Sequence, residues 1–111
     1  MATFKSFEDI EAWQLARVLA KDIFLVTKEK TFANDFKLIN QMRSSSGSIM
    51  DNIAEGFERG GNREFIQFLS IAKGSCGELR SQLYRSLDID YISNEKFNEL
   101  FQKCIEVSSK I

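Results

Sequence analysis

The sequence contains no histidine and no proline in 111 residues. Without histidine the chain cannot form the Ser–His or Cys–His pairs of nucleophilic catalysis, and it lacks the commonest general base and metal ligand. The Glu-x-x-His helices of di-iron bundles are excluded for the same reason. The absence of proline, where about five would be average, favours long uninterrupted helices with short connections.

Cysteine is also scarce, with only Cys76 and Cys104. A structural zinc site needs about four Cys or His ligands, so this chain cannot assemble one. Both cysteines fall on apolar helix stripes and have no histidine to activate them, which predicts buried, unreactive thiols. We therefore expect no enzymatic activity, no catalytic residues, no metal site and no other cofactor.

Neither sign of charge is in excess, because 15 Lys and Arg balance 16 Asp and Glu to give a net charge of −1. A dedicated nucleic-acid-binding protein usually has a clear basic excess, so this balance argues against that class. Long hydrophobic runs are also missing, since the run from Ile23 to Val26 is far short of the ~20 residues that span a bilayer. The N-terminus lacks the apolar core of a signal peptide. We expect a soluble, cytoplasmic protein that makes no contact with a membrane.

Apolar residues recur at steps of three and four through four segments, which is the period of amphipathic helices. The predicted segments with their capping residues are Ser6 to about Lys28, Asn34 to Gly60, Asn62 to about Leu87, and Ser93 or Asn94 to Ile111. The positions predicted to face the core include Trp13, Leu19, Ile23, Phe24, Met42, Ile49, Ile53, Phe65, Cys76, Leu83, Phe97, Cys104 and Ile105. Short loops make consecutive helices antiparallel. Residues 1–111 are thus predicted to form a single all-α domain, an elongated up-down-up-down antiparallel four-helix bundle.

One face of the predicted second helix is polar. On a helical wheel drawn at about 100° per residue, this face lies more than about 100° away from the direction of the core. It carries Gln41, Ser48, Asn52, Glu55 and Arg59. Such a face is usually solvated. Ser and Asn are poor helix formers, however, so their presence also suggests hydrogen bonds to a partner or a neighbouring subunit.

Small residues lie inside the second and third helices, where each glycine costs roughly 0.5–1 kcal/mol relative to alanine. They are Ser44 to Ser48 with Gly56, and Gly74 to Gly77. Close approach of two helices is the interpretation we favour. A phosphate-binding turn is the alternative, but neither of the usual Gly-rich patterns is present.

Aromatic and basic residues carry weaker signals. Phe4, Phe7 and Phe32 lie off the stripes near helix ends, where they could cap the bundle or dock on a neighbour. Lys73 and Arg80 are seven residues apart and share one face of the third helix. A solvated face is the simpler interpretation, although two bases per subunit repeated around an oligomer would form a positive ring.

Three stretches resemble the bacterial four-helix-bundle proteins encoded in intervening sequences of 23S rRNA genes. They are the segment from Phe7 to Trp13, the segment Gln41 to Arg59 with its Asn-Ile-Ala-Glu-Gly-Phe centre, and the segment Phe65 to Leu83 with its Ala-x-Gly-Ser. The chain is similar also to the accessory variability determinant proteins of diversity-generating retroelements. The resemblance implies a non-catalytic four-helix subunit that forms a ring, expected to be a homopentamer, and possible partners in RNA, DNA or a nucleic-acid enzyme.

Matched position by position, the polar signature of the family falls on Gln41, Arg43, Ser48, Asn52, Glu55 and Arg59. Its close-packing positions fall on Gly56, Gly74 and Ser75. The candidate nucleic-acid contacts are Arg43, Arg59, Lys73 and Arg80. The chain departs from the family by having Ser44 and Met50 where an arginine and a proline are common, and its acidic pI weakens the expectation of RNA binding.

Overall fold

The structure, a computed structural model, describes residues 4–111, and within that range it contains four α-helices and no strand. The helices are Glu11–Thr27 (α1), Phe36–Glu58 (α2), Asn62–Asp88 (α3) and Asn94–Lys110 (α4). Single turns of 3-10 helix at Phe7–Asp9 and Lys30–Phe32 precede α1 and α2. The four predicted helices are confirmed, and their ends differ from the predicted bounds by a few residues.

The start of the first helix lies later than the sequence predicts. Ser6 begins the 3-10 turn rather than α1, and the Asp9 carboxylate accepts the backbone N–H groups of Lys5 (3.2 Å) and Ser6 (3.3 Å). The chain is extended at Ile10, and α1 begins at Glu11. The capping residues Ser6 and Asp9 therefore mark the start of the 3-10 turn and not of α1. The Asp9 carboxylate satisfies N–H groups that would otherwise be unpaired.

The other helix ends are set by single side chains or by glycine. Asp35, not Asn34, caps α2 by accepting the N–H of Leu38 at 3.2 Å. Gly61 precedes α3, so Asn62 is the first helical residue rather than the cap. Of the two alternatives for α4, Ser93 is the cap, since its hydroxyl accepts the N–H of Lys96 at 3.0 Å.

The helices contact one another around a closed square in the order α1, α2, α3, α4, and the α2–α3 contact is the most extensive. Polar pairs give the direction: Gln41 meets Arg85 and Ser48 meets Ser75, so residue numbers fall along α3 as they rise along α2. The described chain measures 44 × 23 × 18 Å. The elongated antiparallel bundle predicted from the sequence is confirmed.

The core is a continuous apolar cluster contributed by all four helices. Its fully buried side chains include Leu19, Ile23, Phe32, Leu38, Met42, Ile49, Ile53, Leu79, Leu83 and Leu100. Two predicted core residues are exposed instead, since Phe24 is 46% and Ile105 38% exposed. Both residues lie at the edge of the apolar stripe of their helix, where a side chain points beside the neighbouring helix and not into the core. Among the off-stripe aromatics, Phe32 is buried, Phe7 packs edge-on against Trp13, and Phe4 is exposed.

None of the helices described is long and apolar enough to cross a membrane.

Candidate functional site

The polar face of α2 lies along α3 of the same chain. Ser75 on α3 donates a hydrogen bond to the Ser48 hydroxyl at 3.0 Å. The Asn52 amide donates to the carbonyl (2.8 Å) and the hydroxyl (2.9 Å) of Ser48. We call this line of contacts the polar seam, and it consists of Gln41, Ser48, Asn52, Glu55 and Arg59 on α2 with Ser75 and Arg85 on α3.

The two ends of the polar seam make different kinds of contact, a hydrogen bond between helices at one end and an ion pair within α2 at the other. At one end the Arg85 guanidinium donates to the side-chain oxygen of Gln41 at 3.2 Å. At the other end Arg59 pairs with Glu55 at 2.9 Å and lies 5.2 Å from the ring centre of Phe68. The hydrogen bond and charge of Glu55 raise the pKa of Arg59 further. Because this ion pair is exposed on the surface, it contributes little to stability.

Beneath the seam lie two buried polar residues that the sequence prediction missed, Gln82 and Ser86. Ser86 donates to the carbonyl of Gln82 at 2.9 Å and contacts the Met42 sulfur at 3.4 Å. Gln82 is only 4% exposed, and its side-chain oxygen has no hydrogen-bond partner within residues 4–111. Ser75, Leu79, Gln82 and Ser86 follow one another at steps of four, three and four. That spacing, applied to polar as well as apolar residues, could have placed Gln82 and Ser86 at the α2–α3 interface.

The structure places the three predicted close-packing residues in different surroundings. A Cβ built on Gly56 would lie 2.6 Å from the Phe68 Cβ, so α2 and α3 approach there because Gly56 has no side chain. Ser75 is buried in the same interface. Gly74 is exposed, and a Cβ on it would meet nothing within 4 Å, so it makes no close helix contact within this chain. It lies on the outer side of α3, one residue away from the contact made by Ser75.

Arg43 does not belong to the polar seam. It points to the other side of α2, where its Nε donates to the Thr27 hydroxyl of α1 at 2.9 Å. Its guanidinium lies 4.3 Å from the ring centre of Phe24, the aromatic residue that the sequence placed in the core. Arg43 thus covers an exposed ring and joins α1 to α2, a stabilising role that its charge alone does not reveal.

The four candidate nucleic-acid contacts do not form one surface in a single chain. Arg43 faces α1, and Arg59 lies at the end of the polar seam. Lys73 and Arg80 do share a face, as predicted, and they face α4: Lys73 donates to the carbonyl of Ser108 at 3.3 Å, and the Arg80 guanidinium lies 5.9 Å from the ring centre of Phe101.

The two cysteines are buried between α3 and α4. Burial raises the pKa of the Cys76 thiol to about 11, and burial together with the nearby Cys76 raises that of Cys104 to about 12. Both thiols are therefore protonated and poorly nucleophilic near neutral pH. Within residues 4–111, no three His, Cys, Asp or Glu side chains come close enough to hold a metal ion.

Comparison with known proteins assigns the chain to a family. Residues 8–111 match the family described as "23S rRNA-intervening sequence protein". The chain belongs to the 23S rRNA-intervening sequence protein family. Residues 1–7 lie outside this match, and the matched range includes all four helices of the bundle.

One solved structure has the same fold as this chain. It is described as a protein of unknown function from the S23 ribosomal protein family of Bacteroides thetaiotaomicron. The two chains are 22% identical, with a TM-score of 0.82 over 88% of this chain and 92% of the other. At that identity the likeness concerns the fold. No curated protein matches the sequence.

Proposed function

We propose that this protein is a non-enzymatic cytoplasmic scaffold that assembles with copies of itself into a closed ring, expected to be a pentamer. The observation that carries the proposal is the number of large hydrophobic side chains exposed along the flanks of the helices. Those at least about half exposed are Val18, Leu25, Phe36, Ile66, Ile71, Tyr84 and Ile89. Exposed apolar side chains that share one helix face, as Val18 and Leu25 do at seven residues apart on α1, are the kind of surface that marks a protein contact site, whereas single exposed side chains are ordinary.

The elongated shape supports a lateral mode of assembly. A bundle 44 Å long and only about 20 Å across presents most of its surface along the sides of its helices. Subunits that pack side by side through two different faces form a ring when the rotation between them closes. The resemblance to the ring-forming retroelement accessory proteins supports the same arrangement.

The polar seam is the face that we assign to the neighbouring subunit. Ser48 and Asn52 are half-buried in the single chain, and the Asn52 side-chain oxygen has no donor among the described residues. A neighbour that donates to this oxygen would satisfy it. The poor helix formers Ser and Asn in the middle of α2 would then be retained for contacts between subunits rather than for helix stability.

Binding of RNA or DNA is a second proposal, and it depends on the first. The bases Arg43, Arg59, Lys73 and Arg80 are dispersed over three sides of one chain. Only repetition around a ring would bring equivalent bases together, and a net charge of −1 per chain opposes it. The geometry therefore favours self-assembly as the principal function.

Substitution of Asn52 by leucine tests the assignment of the polar seam. We expect Asn52→Leu to leave the helical circular dichroism unchanged, because leucine is the better helix former. We expect the mass measured by light scattering to fall, because the neighbour loses an acceptor and leaves a polar group unpaired. Gln102→Leu, which makes a similar change at an exposed position of α4, is the control. Unchanged mass for Asn52→Leu would show that the seam is not an interface.

A further inference from the structure

The side of the bundle formed by α3 and α4 combines exposed apolar side chains with two basic residues. Large apolar groups are exposed there, with Ile66 63% and Tyr84 51% exposed, and the Tyr84 ring lies 5.6 Å from that of Phe101. Ile66, Lys73 and Ile111 help to line a shallow cavity of about 240 Å³. We call this surface the arginine groove, and it consists of Ile66, Lys73, Arg80 and Tyr84 on α3 with Phe101 and Ile105 on α4.

Arg80 lies in the arginine groove, and it has no counter-ion in the described part of the chain. No carboxylate within residues 4–111 forms an ion pair with it, and its Nε is buried without a hydrogen-bond partner. The buried Nε is covered by the chain itself, but Arg80 as a whole is only partly buried, so the rest of its guanidinium can be reached from outside. Arginine is one of the residues enriched at interface hot spots. A carboxylate of a partner can therefore pair with the accessible part of this guanidinium.

The surface beside the centre of the polar seam of a second copy offers suitable acceptors. Asp51 follows Ser48 by three residues on α2, and Glu78 follows Ser75 by three residues on α3, so both lie beside the Ser48–Ser75 contact. Both carboxylates are exposed, and neither has an ion-pair partner within residues 4–111. Ile71, 51% exposed, lies on the same side of α3 and supplies apolar surface. The exposed Gly74 beside it leaves room for a large side chain of a neighbour.

The spacing of the charges also agrees. Because α2 and α3 are antiparallel, Asp51 and Glu78 lie about 9 Å apart along the bundle, at 1.5 Å per residue. Lys73 and Arg80, seven residues apart on one helix, are separated by about 10.5 Å along the same direction. Two bases on one surface can therefore face two acids on the other.

The positions of the two surfaces allow a ring to close. The arginine groove lies on the α3–α4 side and the polar seam on the α2–α3 side, which are neighbouring sides of a four-helix square. Two contact faces roughly 90–110° apart are what a closed ring of four or five subunits needs. Opposite sides of the bundle would instead produce an open filament.

We propose that the arginine groove of one subunit receives the polar seam of the next, with Arg80 and Lys73 facing Asp51 and Glu78. This inference rests on the proposed function, because it names the partner surface for the seam within the ring. The contact is heterologous, so each subunit uses both surfaces, and the chain bound at each is a second copy of itself.

Charge reversal on each side, alone and combined, tests the pairing. Arg80→Glu and the double variant Asp51→Lys/Glu78→Lys each place like charges at the contact. We expect each to reduce the mass measured by light scattering from that of the ring to about that of one chain. The chain that carries these three changes together with Lys73→Glu restores opposite charges at both bases and both acids, so we expect it to regain the mass of the ring. Lys21→Glu, an exposed reversal on α1, is the control and should leave the mass unchanged.

Each outcome bears on a different claim. A wild-type protein that is already a single chain contradicts the proposed function itself. A wild-type ring with an undiminished mass in Arg80→Glu, or with no recovery in the combined variant, overturns the pairing alone. If Arg80→Glu loses its helical circular dichroism, Arg80→Met removes the charge at similar length and should still weaken the ring. Retained mass together with lost retention of labelled RNA in Arg80→Glu would instead assign the groove to nucleic acid.

Discussion

Replacement of Phe32 by alanine is expected to lower the free energy of unfolding by about 3–5 kcal/mol. Phe32 is fully buried although it lies in the connection before α2, and its ring centre is 5.0 Å from that of Tyr91. The Tyr91 hydroxyl in turn donates to Asp35 at 2.9 Å, the residue that caps α2. Loss of the ring would therefore leave a cavity and loosen the contact between the two connections at one end of the bundle.

Urea unfolding followed by circular dichroism measures this loss, with all chains compared at one concentration because assembly would add to the apparent stability. Phe36→Ala is the matched control, since it makes the same change four residues later at a side chain that is 64% exposed. Away from buried contacts, surface substitutions usually change the free energy of unfolding by no more than about 0.5 kcal/mol. Equal losses in the two variants would contradict the burial of Phe32.

Substitution of Gly56 by alanine is the second change with a large expected effect. The added Cβ would lie 2.6 Å from the Phe68 Cβ and 3.2 Å from the Phe65 ring. The nearer atom, the Phe68 Cβ, is bonded directly to the backbone. Rotation of the Phe68 ring cannot relieve that contact, so α2 and α3 must move apart. We expect a net loss of about 1–3 kcal/mol, even though alanine favours the helix by about 1 kcal/mol over glycine.

Gly47→Ala separates packing from helix propensity, because Gly47 lies in the same helix and a Cβ there would meet nothing within 4 Å. We expect this variant to be more stable than the wild type by about 0.5–1 kcal/mol. Opposite signs at Gly56 and Gly47 in the same urea experiment would establish the close approach of α2 and α3. A gain at both positions would contradict it.

The fold could be predicted from the sequence because its main determinant is periodic. Apolar residues at steps of three and four, together with the short connections, gave four antiparallel helices in the correct order. The helix starts could be predicted less well, because Asn34 and Asp35 are both good capping residues and the choice depends on tertiary contacts. Asp35 also accepts the Tyr91 hydroxyl from the far connection, 56 residues away, which no local pattern contains.

The candidate site could be predicted only in part. A helical wheel identifies the polar residues of α2. It cannot show that α3 lies against them, because the apolar stripe of one helix does not show which neighbouring helix packs beside its polar face. The family resemblance groups Arg43 with the polar residues of α2, whereas its partners are Phe24 and Thr27 on the opposite side of that helix. The Arg80 Nε, which has no hydrogen-bond partner within residues 4–111, could not be predicted either, because a missing partner becomes evident only when all the described neighbours are in place.

The central claim, that this chain assembles into a ring through two of its own faces, is tested most directly by the mass of the purified wild-type protein. Light scattering at tens of micromolar should give a defined multiple of the 12.7 kDa chain, with five copies, about 64 kDa, as the expected value. A mass of 12.7 kDa that persists at that concentration would contradict the account.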